Sequence, residues 1–310
     1  MKFFRLFIPI IILVGFMVGC QSPAEKDNNH DDIHIYTSIY PIQFIIEGLV
    51  GDFAHVQTVY PPGVDAHTYE PSTKDMIDIS SSIAFIYLGA GMESFAETTV
   101  EALASSDVEF IEIGEHEELF AHADDHDHHD HDGHDHGDLD PHIWFDPERM
   151  IQVSELMKEE MIHLFPEETT TIEENYAQMK ESFNALDKQY ADSLLPKKNK
   201  KMIVSHAAYG YWEERYGIEQ IPISGISASE EPSQKELAQL IERANEEHMT
   251  YIFFEQNTSN KIATIIQEHL HATPLYIHNL EVLTEEDIAN NEDYLTLMER
   301  NIHVLDEGIQ

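Results

Sequence analysis

The sequence has 310 residues, with 59 Asp plus Glu against 17 Lys plus Arg, 20 His and one Cys, and a formal net charge of −42. Such a length holds about two domains of ordinary size, and the charge excludes the basic footprint that a nucleic-acid partner requires. The 42% hydrophobic content, with 15 Phe and 13 Tyr, excludes wholesale disorder, and a single cysteine excludes disulfides within the chain and Cys-rich zinc clusters.

Lys2 and Arg5 precede an apolar run from Leu6 to Met17, which ends at Met17-Val18-Gly19-Cys20. The run is too short and wrongly flanked for a membrane span and matches the hydrophobic region of an export signal. Small residues before the only cysteine resemble a bacterial lipoprotein signal, although Met17 stands where Leu is usual. Residues 1–19 are therefore expected to be removed, with Cys20 lipidated and residues 20–32 forming a polar, lipid-anchored tether. A protein held outside the membrane has no ATP, which narrows the field to binding, adhesion or extracellular hydrolysis.

Residues 33–165 read as a first α/β lobe. Ile33–Ile39 alternates like a strand and a helical pattern starts at Pro41; Val56–Tyr60 is a second strand, stopped by Pro61-Pro62-Gly63. The continuous apolar run Ile83–Leu88 fits a strand buried on both faces. Residues 196–310 repeat the scheme, with strands expected at 202–205, 220–223, 251–254 and 274–277 and helices at 235–248 and 261–270. Alternating strands and helices imply parallel βαβ units. Between the lobes, Ile172, Tyr176, Met179, Phe183, Leu186 and Tyr190 fall at steps of three or four, one apolar stripe on a helix over about 166–195. At 1.5 Å per residue such a helix is about 42 Å long, a stiff strut.

The histidines are concentrated in the first lobe. His116, His122, His126, His128, His129, His131, His134 and His136 lie among aspartates, in a tract from 116 to 138 that lacks the apolar residues of a core. Such a segment is expected to be a disordered loop that collects metal at labile sites. Four other residues suit a fixed site. His67 follows a strand exit, and His142 lies in Asp140-Pro141-His142-Ile143-Trp144-Phe145-Asp146-Pro147. His206 and Glu281 follow strands of the second lobe, at the carboxyl ends where open α/β sheets place ligands. Taken singly, the three histidines are equally consistent with hydrogen-bonded structural residues, and Glu281 more so.

Together, several segments carry a resemblance. Pro62-Gly63-Val64-Asp65-Ala66-His67-Thr68-Tyr69-Glu70-Pro71-Ser72, the 140–147 segment, Ser205-His206, Ile226-Ser227-Ala228-Ser229-Glu230-Glu231-Pro232-Ser233 and Phe254-Glu255-Gln256-Asn257-Thr258-Ser259 occur in this order. In this the chain resembles the zinc-binding lipoproteins of bacterial ABC importers, the metal-binding solute-binding protein family of cluster A-I. The resemblance covers essentially everything after Cys20. It implies an α/β fold of two (βα) lobes with parallel sheets, joined by one long rigid helix, with one metal in the cleft between lobes. His67 and His142 would come from the first lobe, His206 and Glu281 from the second. It also implies a monomer anchored to the bilayer through Cys20, serving a membrane permease and having no catalytic residues.

Three imidazoles and one carboxylate suit tetrahedral Zn(II) at about 2.0–2.2 Å, whereas manganese favours more oxygen ligands. Manganese members of the family carry Glu where His206 stands. Glu255, a water or His278 could replace Glu281 as fourth ligand. Asp140, Asp146 and Glu255 are candidates to orient the ligand imidazoles, and Trp144 is expected to pack between lobes. The competing functions are a metal-buffering surface adhesin and an extracellular zinc hydrolase. The hydrolase would need an open coordination position and a general base, and the sequence has neither His-Glu-x-x-His nor Gly-x-Ser-x-Gly.

Overall fold

A computed structural model of the chain describes residues 33–121, 139–230, 232–257 and 261–309. Cys20, the tether and seven histidines of the 116–136 tract lie outside the described residues. The alternation near residue 35 becomes β1 (His34–Thr37), followed by α1 (Tyr40–Val50), with Pro41 in its first turn where a missing N–H costs nothing. Next come β2 (His55–Thr58), α2 (Thr73–Ser80), β3 (Ala84–Tyr87), α3 (Ala96–Leu103) and β4 (Glu109–Glu112). α2 starts on a capping box in which Ser72 and Asp75 bond each other's backbone N–H. The four strands are parallel in the order β2-β1-β3-β4. All four residues of β3 are buried, as its unbroken apolar run requires.

The second lobe contains β5 (Lys201–Val204), α6 (Gly210–Tyr216), β6 (Glu219–Pro222), α7 (Gln234–Glu246), β7 (Tyr251–Glu255), α8 (Lys261–Leu270) and β8 (Thr273–Ile277). Its sheet is also parallel, in the order β6-β5-β7-β8. Two short helical segments close the chain, α9 (Glu285–Asn290) and α10 (Tyr294–Gly308). α4 (Pro147–Leu164) and the 26-residue α5 (Thr169–Leu194) connect the lobes. α5 is the strut read from the sequence, about 39 Å long, and it packs on α1, α4 and α10. Its Phe183 meets Phe44 of α1 and Tyr294 of α10, with ring centroids 6.2 and 5.6 Å away.

β4 and the helices α2, α3, α4, α6, α9 and α10 go beyond the elements read from spacing. His116, the first residue of the tract expected to be irregular, is flanked by 3-10 turns at Ile113–Glu115 and Glu117–Leu119, so it belongs to the folded lobe. Its Nδ1 lies 3.5 Å from Glu118.

The buried residues form two cores. The main one runs through both lobes and the connecting helices, from Phe85 through Trp144, Phe183 and Trp212 to Leu275 and Met298. A smaller one, with Ile203, Ile221, Leu240, Ile252, Phe254 and Ile266, lies under α7 and α8. Strand alternation separates them: Phe253 joins the main core, its neighbours Ile252 and Phe254 the small one.

Polar bonds stitch the lobes along the same seam. Tyr40 N–H donates to the Glu281 carbonyl at 2.9 Å and Gly63 N–H to that of Leu283 at 3.1 Å. Trp144, fully buried as an inter-lobe residue, donates its indole N–H to the Asn279 carbonyl at 2.9 Å. Its own carbonyl accepts from Tyr294 Oη at 2.5 Å. Trp144→Phe keeps most of the bulk but leaves the Asn279 carbonyl without its indole donor. The expected cost is about 1–3 kcal/mol, read as a lower urea midpoint for the metal-free chain; an unchanged midpoint would show that the seam does not depend on this bond.

Candidate metal centre

The two sheets point the carboxyl ends of their strands into the same cleft, and the residues that follow those strands meet there. His67 comes from the β2–α2 connection. Gly63, at φ +79°, turns the chain in the left-handed region that glycine adopts freely. Asp65 then accepts the His67 backbone N–H on its Oδ1 at 3.0 Å, the local bond of an Asx turn. The β4–α4 connection repeats the device: Asp140 Oδ1 accepts the His142 backbone N–H at 3.0 Å. There it also meets the ring Nδ1 at 2.7 Å, which turns Nε2 toward the cleft. His206 follows β5, and its Nδ1 is 2.6 Å from Oε2 of Glu255 at the end of β7. Glu281 follows β8 after Leu280, whose φ is +62°.

One possible ligand atom from each of His67, His142, His206 and Glu281 lies within 4.8 Å of the other three. His142 Nε2 and His206 Nε2 are 3.3 Å apart. Glu281 Oε1 stands 3.7 Å from His67 Nε2 and 3.6 Å from His206 Nε2. His142, His206 and Glu281 are buried and His67 is partly exposed. His67 Nε2 and Glu281 Oε1 are buried without a hydrogen-bond partner, an arrangement that costs free energy unless something else satisfies both. Converging nitrogens and an oxygen at these separations are the donor set of a tetrahedral cation site.

Electrostatics differ among the four. Burial pushes the His67 imidazole down to about 4, so it is neutral and ready to donate a lone pair. Burial also acts against a charged His206, but the Glu255 and Glu281 carboxylates outweigh it and hold the ring up at about 10. Burial would raise the Glu281 carboxyl, yet the facing imidazoles, His206 first, hold it below its ordinary value. The metal-free site thus keeps its balance with a proton on His206.

The alternatives for the fourth position separate by geometry. Glu255 sits behind the His206 ring, on the Nδ1 side, where it orients the imidazole. His278 has both ring nitrogens engaged, with Leu280 N–H at 2.9 Å and Asp287 Oδ2 at 3.0 Å. Of the acids expected to orient ligands, Asp140 and Glu255 do so. Asp146 does not: it caps α4 through Glu148 N–H and pairs with Arg215 at 3.3 Å and Arg149 at 3.5 Å. Asp65 went unread in the sequence, although the shared Asp-x-His spacing at 65–67 and 140–142 was there to find.

The family model described as "ZnuA: Zinc-uptake complex component A periplasmic" matches residues 35–308. The zinc-binding lipoprotein AdcA of Streptococcus pneumoniae serotype 4 is 33% identical over 299 residues, covering 94% of this chain and 58% of that protein. The chain thus spans somewhat more than half the length of that relative. The high-affinity zinc uptake system protein ZnuA of Bacillus subtilis is 26% identical over 300 residues, covering 96% of this chain and 94% of that protein. Among solved structures, the Zn(II)-bound ZnuA-like domain of S. pneumoniae AdcA superposes with a TM-score of 0.72 at 31% identity, over 89% of this chain and 98% of the domain. With a match that runs through both lobes and every residue of the cluster, the chain belongs to the zinc-uptake complex component A family.

Proposed function

We propose that the chain captures Zn(II) outside the cytoplasm and delivers it to the permease of an ABC importer. His67, His142, His206 and Glu281 hold the ion, and Cys20 carries the lipid that keeps the protein at the membrane. The observation that carries this reading is the cluster itself: three imidazoles and one carboxylate within 4.8 Å of one another, with His67 Nε2 and Glu281 Oε1 buried and unpartnered. Zinc satisfies both atoms at once. Three nitrogens and a single carboxylate favour it over manganese, which prefers oxygen-rich, higher-coordinate sites. Four protein ligands also fill a tetrahedral shell, which suits a carrier; a zinc hydrolase keeps a position open for water.

The lipid anchor, the monomeric state and the metal-collecting role of the 116–136 histidines are parts of the same reading. Aspartates interleaved with those histidines lower the potential around the tract and concentrate cations there. In cells lacking the gene, zinc uptake from chelator-treated medium is expected to return with the native chain and not with His67→Ala. Equal uptake with both chains would sink the site; growth restored by neither would sink the transport role.

A further inference from the structure

We propose that His278, which is not itself a ligand, is the positioning residue that sets Glu281 for the ion; the inference rests on the zinc reading above. His278 is the first residue after β8 and is buried. Asn301 of α10 grips both its peptide groups, accepting its N–H at 2.9 Å and donating to its carbonyl at 2.8 Å. Its Nδ1 accepts the Leu280 N–H at 2.9 Å. The ring proton is therefore on Nε2, which donates to Asp287 Oδ2 at 3.0 Å. Asp287 is fixed in turn: it accepts Thr284 N–H at 2.9 Å as part of the α9 cap and lies 3.6 Å from Arg300.

The bond to Leu280 matters because of that residue's backbone. At φ +62° Leu280 occupies the left-handed region that a non-glycine residue enters only at a cost. Such a conformation persists where its surroundings over-determine it. The His278 imidazole does here what an Asn or Asp side chain does in an Asx turn, accepting the N–H two residues ahead. Asn279 between them is held by Gln256, whose Oε1 accepts its N–H at 3.2 Å and whose Nε2 donates to its Oδ1 at 2.9 Å. Glu281 leaves this turn with its carbonyl fixed by Tyr40 and its carboxylate facing His67 and His206. Relaxing Leu280 to an ordinary φ would swing that carboxylate away. His278 thus acts on the ion through one backbone amide.

Zinc affinity by chelator competition and Co(II) ligand-field absorption, both on the full chain, test the proposal. His278→Phe keeps a ring but loses both bonds. It is expected to lose about 10–100-fold in affinity, as outer partners of metal ligands do, with weaker Co(II) bands as water replaces Glu281. His278→Asn can still accept the Leu280 N–H and is expected to recover most of the affinity and band intensity, although it too lacks the Asp287 bond. A native spectrum and affinity for His278→Phe would overturn the proposal, and so would equal losses in the two variants that track their melting temperatures. Should His278→Phe not fold, ¹⁵N-histidine NMR of the native chain decides: the Nε2–H tautomer at His278, with and without zinc, is expected. An Nδ1–H tautomer or a metal-shifted nitrogen there overturns the proposal. A native chain that binds neither zinc nor cobalt overturns the zinc reading and this inference with it; native binding beside an unperturbed His278→Phe overturns this inference alone.

Discussion

Replacing His206 with alanine is expected to cost more zinc affinity than the roughly 10–100-fold that follows loss of an outer partner. The substitution removes a ligand nitrogen, and it also removes the group that separates Glu255 from Glu281. Both carboxylates are almost fully buried, at 1% and 2% exposure, and without the ring between them they confront each other where water screens little. Glu255→Gln provides the scale: it keeps the imidazole and loses the carboxylate 2.6 Å behind it, so its loss is expected within that 10–100-fold range. Both are measured by competition with a chelator strong enough to strip the His-rich tract. A His206→Ala chain that still outcompetes the chelator as the native chain does would place the tight site elsewhere.

The second large effect is of pH. Below about 10 the metal-free chain keeps a proton on His206, because Glu255 and Glu281 more than offset the burial of the ring. His67, pushed down to about 4, carries none at neutral pH, and Glu281 is held ionised. Zinc needs the His206 lone pair and so must displace that proton. A raised pKa in the metal-free state makes the proton a competitor at every pH below it. Affinity is therefore expected to climb about tenfold per pH unit from neutrality toward about 10, the linkage slope for one proton released. Calorimetry in buffers of different protonation enthalpy reads the number directly. Close to one proton released at neutral pH is expected; none would mean that His206 is already neutral in the metal-free site.

What the sequence reveals of this architecture follows from how strongly each segment's burial marks its residues. β3 and β7 lie inside their sheets, and runs such as Ala84–Tyr87 declare themselves. β4 is an edge strand of four residues, Glu109-Phe110-Ile111-Glu112, with only Ile111 buried, so its apolar signal is nearly nil. α10 is different: Tyr294, Leu297, Met298, Ile302 and Leu305 form a stripe as regular as that of α5 and were open to the same rule. At the site, His67 and His206 stand at strand exits that the alternation of strands and helices already fixes, whereas His142 was marked only by its Asp-Pro-His segment, far beyond the illegible β4. The fourth member of the cluster was ambiguous because β7 and β8 each lead to a glutamate at the same end of one sheet. The structure separates them, with Glu255 behind the His206 ring and Glu281 facing His67 and His206 beyond the left-handed Leu280, and nothing in a leucine announces that turn.

The division of the interior into two cores has a consequence for how the molecule opens. Ligand binding suppresses those fluctuations that dismantle the binding site and leaves the rest untouched. Ala66, Ile143, Trp144, Leu280 and Val282, which flank the cleft residues in sequence, belong to the main core, which cannot come apart lobe by lobe because it runs through both. α7 and α8 bury only Leu240, Ala244, Ala263 and Ile266 against the small core on the far face of the second sheet. Their detachment leaves the four cleft residues seated. Amide protons in α7 and α8 thus exchange through a local opening whose free energy is set by that thin layer, whereas zinc slows exchange where the main core must be breached.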